Sequence, residues 1–176
     1  MKTLVTGATG FIGSAIVREL LEDGRRVKTL SRKNANTRNI DGLDIEIVIG
    51  DLRDKPSLQS ALMGCEVLYH TAAYYSLWSR DKKTIYDINV DGTRNILEAA
   101  AQAGVQKVVY TSTVGCIGLH PDGRPADEET SFDRATLSND YKKSKYQAEQ
   151  IALDFKALPV VVVNPSAPVG SHDIKP

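Results

Sequence analysis

The chain opens with Met1-Lys2-Thr3-Leu4-Val5-Thr6-Gly7-Ala8-Thr9-Gly10-Phe11-Ile12-Gly13, where a short apolar run leads into glycines spaced three residues apart. The run predicts a buried β-strand, and the glycines predict a tight turn into an α-helix. Glycine permits the turn, lets the backbone approach phosphate and lets the helix pack on the strand. The free amides and the dipole at the start of the helix attract an anion, which predicts a site for the diphosphate of a dinucleotide. A glycine-rich turn without a ligand is the alternative.

The composition is typical of an ordinary globular domain. The 176 residues suit one domain with a sizeable core, and 22 Lys and Arg balance 22 Asp and Glu, so we expect no nucleic-acid partner. No apolar run reaches bilayer length and the chain enters a strand at once, so we expect no membrane span, no signal peptide and a cytoplasmic location. Cys65 and Cys116 lack metal-ligand spacing, so we expect two buried free thiols and no metal site.

Strand-like and helix-like segments alternate along the chain. Predicted strands lie at the apolar run before Gly7 and at 27–30, 45–49, 67–70, 108–111 and 160–163, and predicted helices follow Gly13 and cover 56–63, 85–103 and 141–156. This alternation predicts an α/β fold, a doubly wound parallel sheet of the Rossmann type with helices on both faces. Residues 114–139 are expected to form a long irregular segment. Ligands of such sheets bind at the carboxyl ends of the strands.

A tyrosine and a lysine four residues apart suggest proton-transfer chemistry. Tyr141 and Lys145, in the run YKKSK (141–145), share one face of a predicted helix. A nearby ammonium, or the positive nicotinamide ring of an oxidised cofactor, favours the phenolate and lowers the pKa of a tyrosine from about 10. Tyr141 can then accept a proton from an alcohol as hydride leaves its carbon, or return one to a carbonyl. The alternative is a surface tyrosine on a basic helix.

Hydroxyl side chains follow the predicted strand 108–111. One of them can hydrogen-bond a substrate oxygen and orient it toward Tyr141, and we expect Thr113 first and Ser112 second to do so. The alternative is that these hydroxyls cap a turn. Tyr74, Tyr75 and Trp78 either stack on a substrate or cover the edge of the core.

These motifs together resemble the extended branch of the short-chain dehydrogenase/reductase superfamily. The matching runs are TGATGFIG (6–13), GDL (50–52), HTAA (70–73), NVDGTRN (89–95), TST (111–113) and YKKSK (141–145). Within this branch the chain resembles the group of nucleotide-sugar epimerases and dihydroflavonol-reductase-like proteins. The runs YSLWSRD (75–81) and NPSAPVG (164–170) are similar to those of bacterial hopanoid-associated sugar epimerases.

The resemblance implies a role for each matching position. Tyr141 would be the general acid/base, Lys145 would lower its pKa and bind the nicotinamide ribose, and Thr113 would be the catalytic hydroxyl. The implied cofactor contacts are Gly7, Gly10, Phe11, Ile12 and Gly13 at the phosphates, Asp51 and Leu52 at the adenine, Ala72 and Ala73 beneath the cofactor, and Asn164 and Ser166 near the nicotinamide. Asn89 is expected to buttress the site.

The end of the second predicted strand indicates which dinucleotide binds. An acidic residue about 20 positions after the glycine turn would bind the ribose 2′-hydroxyl of NAD. Ser31 and Arg32 stand there instead, and both can hydrogen-bond a 2′-phosphate. We therefore expect NADP, with NAD as the alternative.

Three functions are compatible with the sequence. The first is an NAD(P)-dependent oxidoreductase or epimerase acting on a sugar nucleotide or similar small molecule, the second a dihydroflavonol-reductase-like NADPH-dependent carbonyl reductase, and the third a non-catalytic dinucleotide-binding module. Extended members continue into a C-terminal substrate-binding part, so we expect residues 1–176 to form an NAD(P)-binding domain with weak or no turnover. A homodimer through the helices 85–103 and 141–156 is a family-level expectation.

Overall fold

A computed structural model describes residues 1–76, 81–130, 132–133, 135 and 137–173. Within them, six strands form one sheet, and all neighbouring strands are parallel. The strands are β1 (Lys2–Thr6), β2 (Arg26–Ser31), β3 (Glu46–Ile49), β4 (Val67–His70), β5 (Lys107–Thr111) and β6 (Val160–Val163). Their order is β3-β2-β1-β4-β5-β6, so β2 and β3 lie on one side of β1 and β4, β5 and β6 lie on the other. The order of the strands therefore reverses between β1 and β4. The predicted doubly wound sheet is confirmed, and its switch point is where such folds bind ligands.

Helices cover both faces of the sheet. They are α1 (Phe11–Glu22), α2 (Lys55–Leu62), α3 (Lys82–Tyr86), α4 (Gly92–Gln102) and α5 (Asp140–Asp154). Neighbouring side chains of β1 point to opposite faces, as in any strand. Leu4 packs in a cluster with residues of α2, α4 and α5, whereas Val5 packs in a second cluster with residues of α1. Two apolar layers therefore hold the sheet, and the carboxyl ends of its strands share one edge.

The helix predicted over 85–103 is interrupted. It begins earlier, as α3, passes through a π-helical turn at Asp87–Asp91 and continues as α4. Asn89 is buried in that turn, where its side chain accepts from the backbone N–H of Tyr74 (2.7 Å) and donates to its carbonyl (3.2 Å). These bonds to a distant loop are invisible to helical periodicity, which is why the sequence predicted one regular helix. π-Helical turns of this kind occur frequently at functional sites.

Helix α5 begins at a side-chain cap. The Asn139 side chain accepts a hydrogen bond from the backbone N–H of Lys142 at 2.8 Å, which satisfies one of the donors left free at a helix start. The preceding segment contains a 3₁₀ turn, Val114–Cys116, and most of its described residues are irregular, as predicted. Among the described helices, none is long and apolar enough to cross a membrane.

The turn between β1 and α1 leaves no room for side chains. Gly7 has φ +72°, and a Cβ atom there would lie 2.7 Å from both the backbone N of Ala72 and Thr71 Oγ1. A Cβ atom at Gly13 would lie 2.1 Å from the carbonyl oxygen of Gly7. The backbone of the turn therefore touches both α1 and the end of β4, which only glycine allows.

We expect Gly7→Ala to lower the free energy of unfolding by about 2–4 kcal/mol, because left-handed strain and overlap with the Ala72 backbone add together. Gly64→Ala is the matched control, since Gly64 also has a left-handed φ, +71°, but nothing lies within 4 Å of its added Cβ. The control should lose only about 1–2 kcal/mol. Urea unfolding measures both variants, and equal losses would contradict the role given to the close approach.

Candidate functional site

A cleft of about 240 Å³ lies at the carboxyl edge of the sheet, beside the switch point. Residues that the sequence predicted to contact a cofactor line this cleft, and they come from four separate parts of the chain. They are Gly7, Gly10, Ser31, Arg32, Asp51, Leu52, Ala72 and Ala73. Thr9, Tyr74 and Ile88 also line it, although the sequence did not single them out as cofactor contacts.

The start of α1 supplies hydrogen-bond donors to this cleft. Gly10 is its N-cap and carries no side chain that satisfies the first amides, and the first turn contains no acidic residue. The backbone N–H of Ser14 bonds the carbonyl of Gly10 at 2.9 Å, so the amides of Phe11, Ile12 and Gly13 precede the first intrahelical bond. Free amides at a helix start bind anions, so the turn fits the diphosphate of a dinucleotide.

The end of β2 offers polar groups and no acid. Within the part of the chain that the structure describes, Ser31 Oγ is buried without a hydrogen-bond partner. Arg32 is exposed, and with Lys33 and Asn34 it lines an adjoining open hollow of about 540 Å³. A hydroxyl and a guanidinium can both bond a phosphate group, but Asp51 and Asp54 line the hollow too, so the expected preference for NADP stays a prediction.

The residues predicted to lie at the adenine are fixed by their neighbours. The Asp51 carboxylate accepts two bonds of 2.8 Å from the Arg53 guanidinium, and this pairing holds the pKa of Asp51 below its ordinary value. The Leu52 carbonyl accepts from Asn95 Nδ2 at 3.0 Å. A Cβ atom at Gly92 would lie 2.9 Å from Leu52 Cβ, so α4 packs directly on this residue. The run NVDGTRN therefore positions Leu52, a role that sequence reasoning missed.

A buried hydrogen-bond chain joins the glycine turn to the π-helical turn. Thr93 Oγ1 donates to the carbonyl of Asn89 at 2.7 Å, so it accepts from Nε2 of His70 at 3.2 Å. Nδ1 of His70 then accepts from Thr6 Oγ1 at 2.7 Å, and the same hydroxyl accepts from the backbone N–H of Ala72. Burial lowers the pKa of His70 to about 3, with the Lys145 charge adding to the shift, so the ring stays neutral.

Lys145 lies in the interior beneath the carboxyl edge. The residue is only 3% exposed, and its Nζ donates to the Tyr110 phenol and to the Thr111 carbonyl, both at 2.9 Å. Burial lowers the pKa of Lys145 to about 8, while Cys116 and Glu149 oppose that shift. Burial also raises the pKa of the Tyr110 phenol, which keeps its hydrogen. The lysine therefore fixes α5 to the end of β5.

Tyr141 departs from the expectation for its pKa. The sequence predicted a lowered value, but in the protein alone burial raises the pKa of Tyr141 to about 12, with Tyr75 and Cys116 adding to the rise. The Lys145 amine is engaged by Tyr110 and Thr111, which helical spacing alone could not reveal. The lowering predicted from the positive nicotinamide ring concerns the cofactor-bound protein and stays a prediction.

The two candidate hydroxyls differ in their surroundings. Ser112 is buried and its Oγ donates to Cys116 Sγ at 3.6 Å. Thr113 Oγ1 accepts from the backbone N–H of Gly115 at 3.2 Å, which is the capping that the sequence offered as the alternative. A hydroxyl that accepts keeps its own hydrogen for another partner, so Thr113 remains able to donate.

The chain matches the model of the NAD dependent epimerase/dehydratase family over residues 3–176. It belongs to this family. The predicted resemblance to the extended short-chain dehydrogenase/reductase group, with its NAD(P)-dependent epimerases, dehydratases and reductases, is thereby confirmed. The narrower similarity to hopanoid-associated epimerases stays a prediction.

Relatives of this chain carry different names. It is 47% identical over 174 residues to a putative dihydroflavonol 4-reductase of Synechocystis sp., covering 98% of this chain and 50% of that protein. It is 41% identical over 178 residues to sterol demethylase protein B of Methylococcus capsulatus, covering 100% of this chain and 54% of that protein. The chain thus spans about half the length of the curated relatives it matches.

Solved structures of other proteins share the fold. The crystal structure of gox2253 has a TM-score of 0.91 and 48% identity, covering 99% of this chain and 54% of that one. The UDP-glucose 4-epimerase of Thermus thermophilus, solved as a complex with NAD, has a TM-score of 0.78 and 30% identity, covering 93% of this chain and 54% of that one. The family uses a nicotinamide dinucleotide, as the sequence predicted.

The remaining predicted residues are not among those that line the cleft. Phe11 and Ile12 instead line an apolar groove with Pro168 and Val169. Ser166 is exposed beyond β6. Among the described residues, no group of three or more His, Cys, Asp or Glu side chains is placed to hold a metal ion.

The aromatic residues of the loop after β4 behave differently from one another. Tyr75 is 70% exposed, and its ring meets that of Tyr141 edge-on with 4.9 Å between centroids. Tyr74 is held through its backbone by Asn89 and lines the cleft. Trp78 lies outside the described residues, so its predicted role is open. Because the exposed Tyr75 ring lies beside Tyr141, its stacking on a substrate stays a prediction.

The neutral His70 predicts a pH dependence of stability. The pKa of His70 is 6.5 in the unfolded chain and about 3 in the folded protein. Between these values only the unfolded chain binds the proton, so the folded protein loses stability as the pH falls through this window. We expect wild type to lose about 2 kcal/mol of unfolding free energy between pH 7 and pH 5 that His70→Asn does not lose. Urea unfolding at both pH values checks this. The exposed His172 supplies the control His172→Asn, which should follow wild type, and a wild-type slope in His70→Asn would contradict the prediction.

Proposed function

We propose that residues 1–176 form the NAD(P)-binding domain of an oxidoreductase or epimerase that moves hydride at a hydroxyl or carbonyl carbon of a sugar nucleotide or similar small molecule. The observation that carries this proposal is the placement of Tyr141 and buried Lys145 one helical turn apart on α5, where Lys145 is bonded to the carboxyl end of β5. That edge also carries the cleft at the switch point.

A nicotinamide dinucleotide fits the residues present. The free amides at the start of α1 would hold its diphosphate. Ser31 and Arg32 would hold the adenosine ribose with its 2′-hydroxyl or 2′-phosphate, and Asp51 and Leu52 would hold the adenine. Ala72 and Ala73 would lie beneath it, and Lys145, Asn164 and Ser166 near its nicotinamide end. When bound, the cofactor supplies the hydride acceptor or donor.

The chain's own contribution is proton transfer and orientation. Tyr141 would exchange a proton with the substrate oxygen, and Thr113 would donate a hydrogen bond to that oxygen through its remaining hydrogen. With a pKa raised to about 12 in the protein alone, Tyr141 holds its proton at neutral pH, which suits the acid role in carbonyl reduction. The opposite direction requires positive charge near the phenol, such as the Lys145 ammonium or an oxidised nicotinamide ring.

One of the two other functions has specific support. A dihydroflavonol-reductase-like carbonyl reductase is favoured by the relative with 47% identity and that name. Consumption of NADPH with a panel of carbonyl compounds would indicate a reductase. Isomerisation of a nucleotide sugar without net consumption of the cofactor would indicate an epimerase. A non-catalytic dinucleotide-binding module would need neither Tyr141 nor Lys145. The cytoplasmic location and the homodimer stay predictions.

We expect NADPH to bind at least about tenfold more tightly than NADH, because Ser31 and Arg32 offer donors to a 2′-phosphate. Arg32→Ala should weaken NADPH binding about tenfold or more and leave NADH binding nearly unchanged. Fluorescence titration of the 176-residue chain measures both ligands. Lys55→Ala, which removes an exposed lysine paired with Glu98, is the control. Tighter binding of NADH would overturn the preference.

Tyr141→Phe should lower turnover about 10²–10⁴-fold and leave the NADPH dissociation constant within about twofold, because the phenol acts in proton transfer. Turnover is assayed in a version of the protein extended by a C-terminal substrate-binding part, with both readouts described above. Tyr146→Phe is the matched control, since Tyr146 lies on the same helix and its ring stacks on that of Phe132. Unchanged activity in Tyr141→Phe would remove Tyr141 from the mechanism. Absence of any turnover in the wild-type protein would favour the non-catalytic module.

A further inference from the structure

A buried carboxylate lies one helical turn beyond Lys145 on α5. Glu149 is only 7% exposed, and its Oε2 accepts from Asn164 Nδ2 at 2.7 Å. Burying a carboxylate is costly unless hydrogen bonds and an opposite charge compensate for lost water. Neither the glycine turn nor the Tyr141 and Lys145 motif explains why an acid occupies this position.

The bond to Asn164 ties the ends of two strands together. Asn164 Nδ2 also donates to the Thr113 carbonyl at 3.0 Å, so both amide hydrogens are used. Rotating the amide by 180° would place its oxygen against the Glu149 carboxylate and the Thr113 carbonyl, which only accept. The orientation of Asn164 is therefore fixed, and Glu149 holds the residue after β6 against the residues after β5.

A second contact runs through a thiol. Ser112 Oγ donates to Cys116 Sγ at 3.6 Å. Burial raises the pKa of Cys116 to about 11, and the Glu149 side chain adds to that rise. The thiol therefore keeps its hydrogen at neutral pH. Ser112, through Cys116, and the Thr113 backbone carbonyl, through Asn164, are thus linked to the same acid.

The third link is electrostatic. The Lys145 amine is faced by the Tyr110 phenol and the Thr111 carbonyl from β5, the neutral His70 ring from β4, the Cys116 thiol, and Glu149 from its own helix. Tyr110 and Cys116 keep their hydrogens at neutral pH, since burial raises the pKa of each. The Glu149 carboxylate therefore supplies the negative charge within this group, and it opposes the loss of the Lys145 proton on burial.

We propose that Glu149 is a positioning residue that keeps the Lys145 amine charged and, through Asn164, holds the Thr113 segment in register with α5. This inference rests on the proposed function, because Lys145 and Thr113 have catalytic roles only there. Glu149 itself is placed to touch the side chains behind the site rather than substrate or cofactor.

The direct test is an NMR titration of the Lys145 side chain in the 176-residue chain labelled with ¹³C-lysine, with the signal assigned by its loss in Lys145→Met. Glu149→Gln keeps the size of the side chain and an oxygen for Asn164 but removes the charge. We expect the Lys145 pKa, about 8 in wild type, to fall by about one pH unit or more in Glu149→Gln. Glu149→Asp should recover most of the shift, and Asp154→Asn, which removes an exposed acid of the same helix, should leave it unchanged.

A second readout follows NADPH binding against pH in the same variants. A fall of one pH unit lowers the ammonium fraction at pH 8 about fivefold, so NADPH binding by Glu149→Gln should weaken by up to about fivefold there and recover at pH 6. A merely structural role would lower stability without this pH dependence. A Lys145 pKa that is unchanged in folded Glu149→Gln overturns the inference.

A second variant covers the case in which Glu149→Gln does not fold. Glu149→Met removes the charge without burying an unsatisfied amide, and the Lys145 pKa should fall in it by a similar amount. A Lys145 pKa that is unchanged in folded Glu149→Met overturns the inference. If the Lys145 pKa shifts as expected but no variant, nor wild type, binds NADPH, the coupling stands and the proposed function fails.

Discussion

The backbone of the first turn approaches its neighbours more closely than any side chain would allow. Gly7 lies against the end of β4, and Gly13 lies against the carbonyl of Gly7. This contact sets where α1 begins relative to the sheet, and so where its free amides point. The turn lines the cleft together with the end of β2 and the loop at Ala72. A site for an elongated anionic ligand needs such a rigid turn, because each part of the ligand must contact the end of a different strand.

Buried polar groups support the other half of the site from below. His70 joins β4 to β1 and α4 as a neutral donor and acceptor, whereas Lys145 joins α5 to β5 as a buried cation. Glu149 and Asn164 complete this layer next to β6. Such groups are costly to bury singly, and their mutual bonds make the arrangement specific. The strand ends are thus held by polar contacts where the apolar layers stop.

Local patterns were enough to predict the sheet, the glycine turn and the placement of Tyr141 and Lys145 on one helix, because each depends on residues close together in sequence. Contacts between distant residues were not predictable in the same way. The π-helical turn depends on the bond between Asn89 and Tyr74. The positioning role proposed for Glu149 depends on its bond to Asn164, which forms only in the folded protein. The direction of the Tyr141 pKa likewise depends on burial, which sequence spacing does not measure.

The residue that follows Asn164 protects it chemically. Asparagine side chains age by deamidation, in which the next backbone nitrogen attacks the side-chain carbonyl to form a cyclic imide. Pro165 has no backbone N–H, so this route is closed here. Conversion of Asn164 to aspartate would set a new negative charge against Glu149 and the Thr113 carbonyl. The proline thus gives the amide a long chemical lifetime at a position where its loss would be severe.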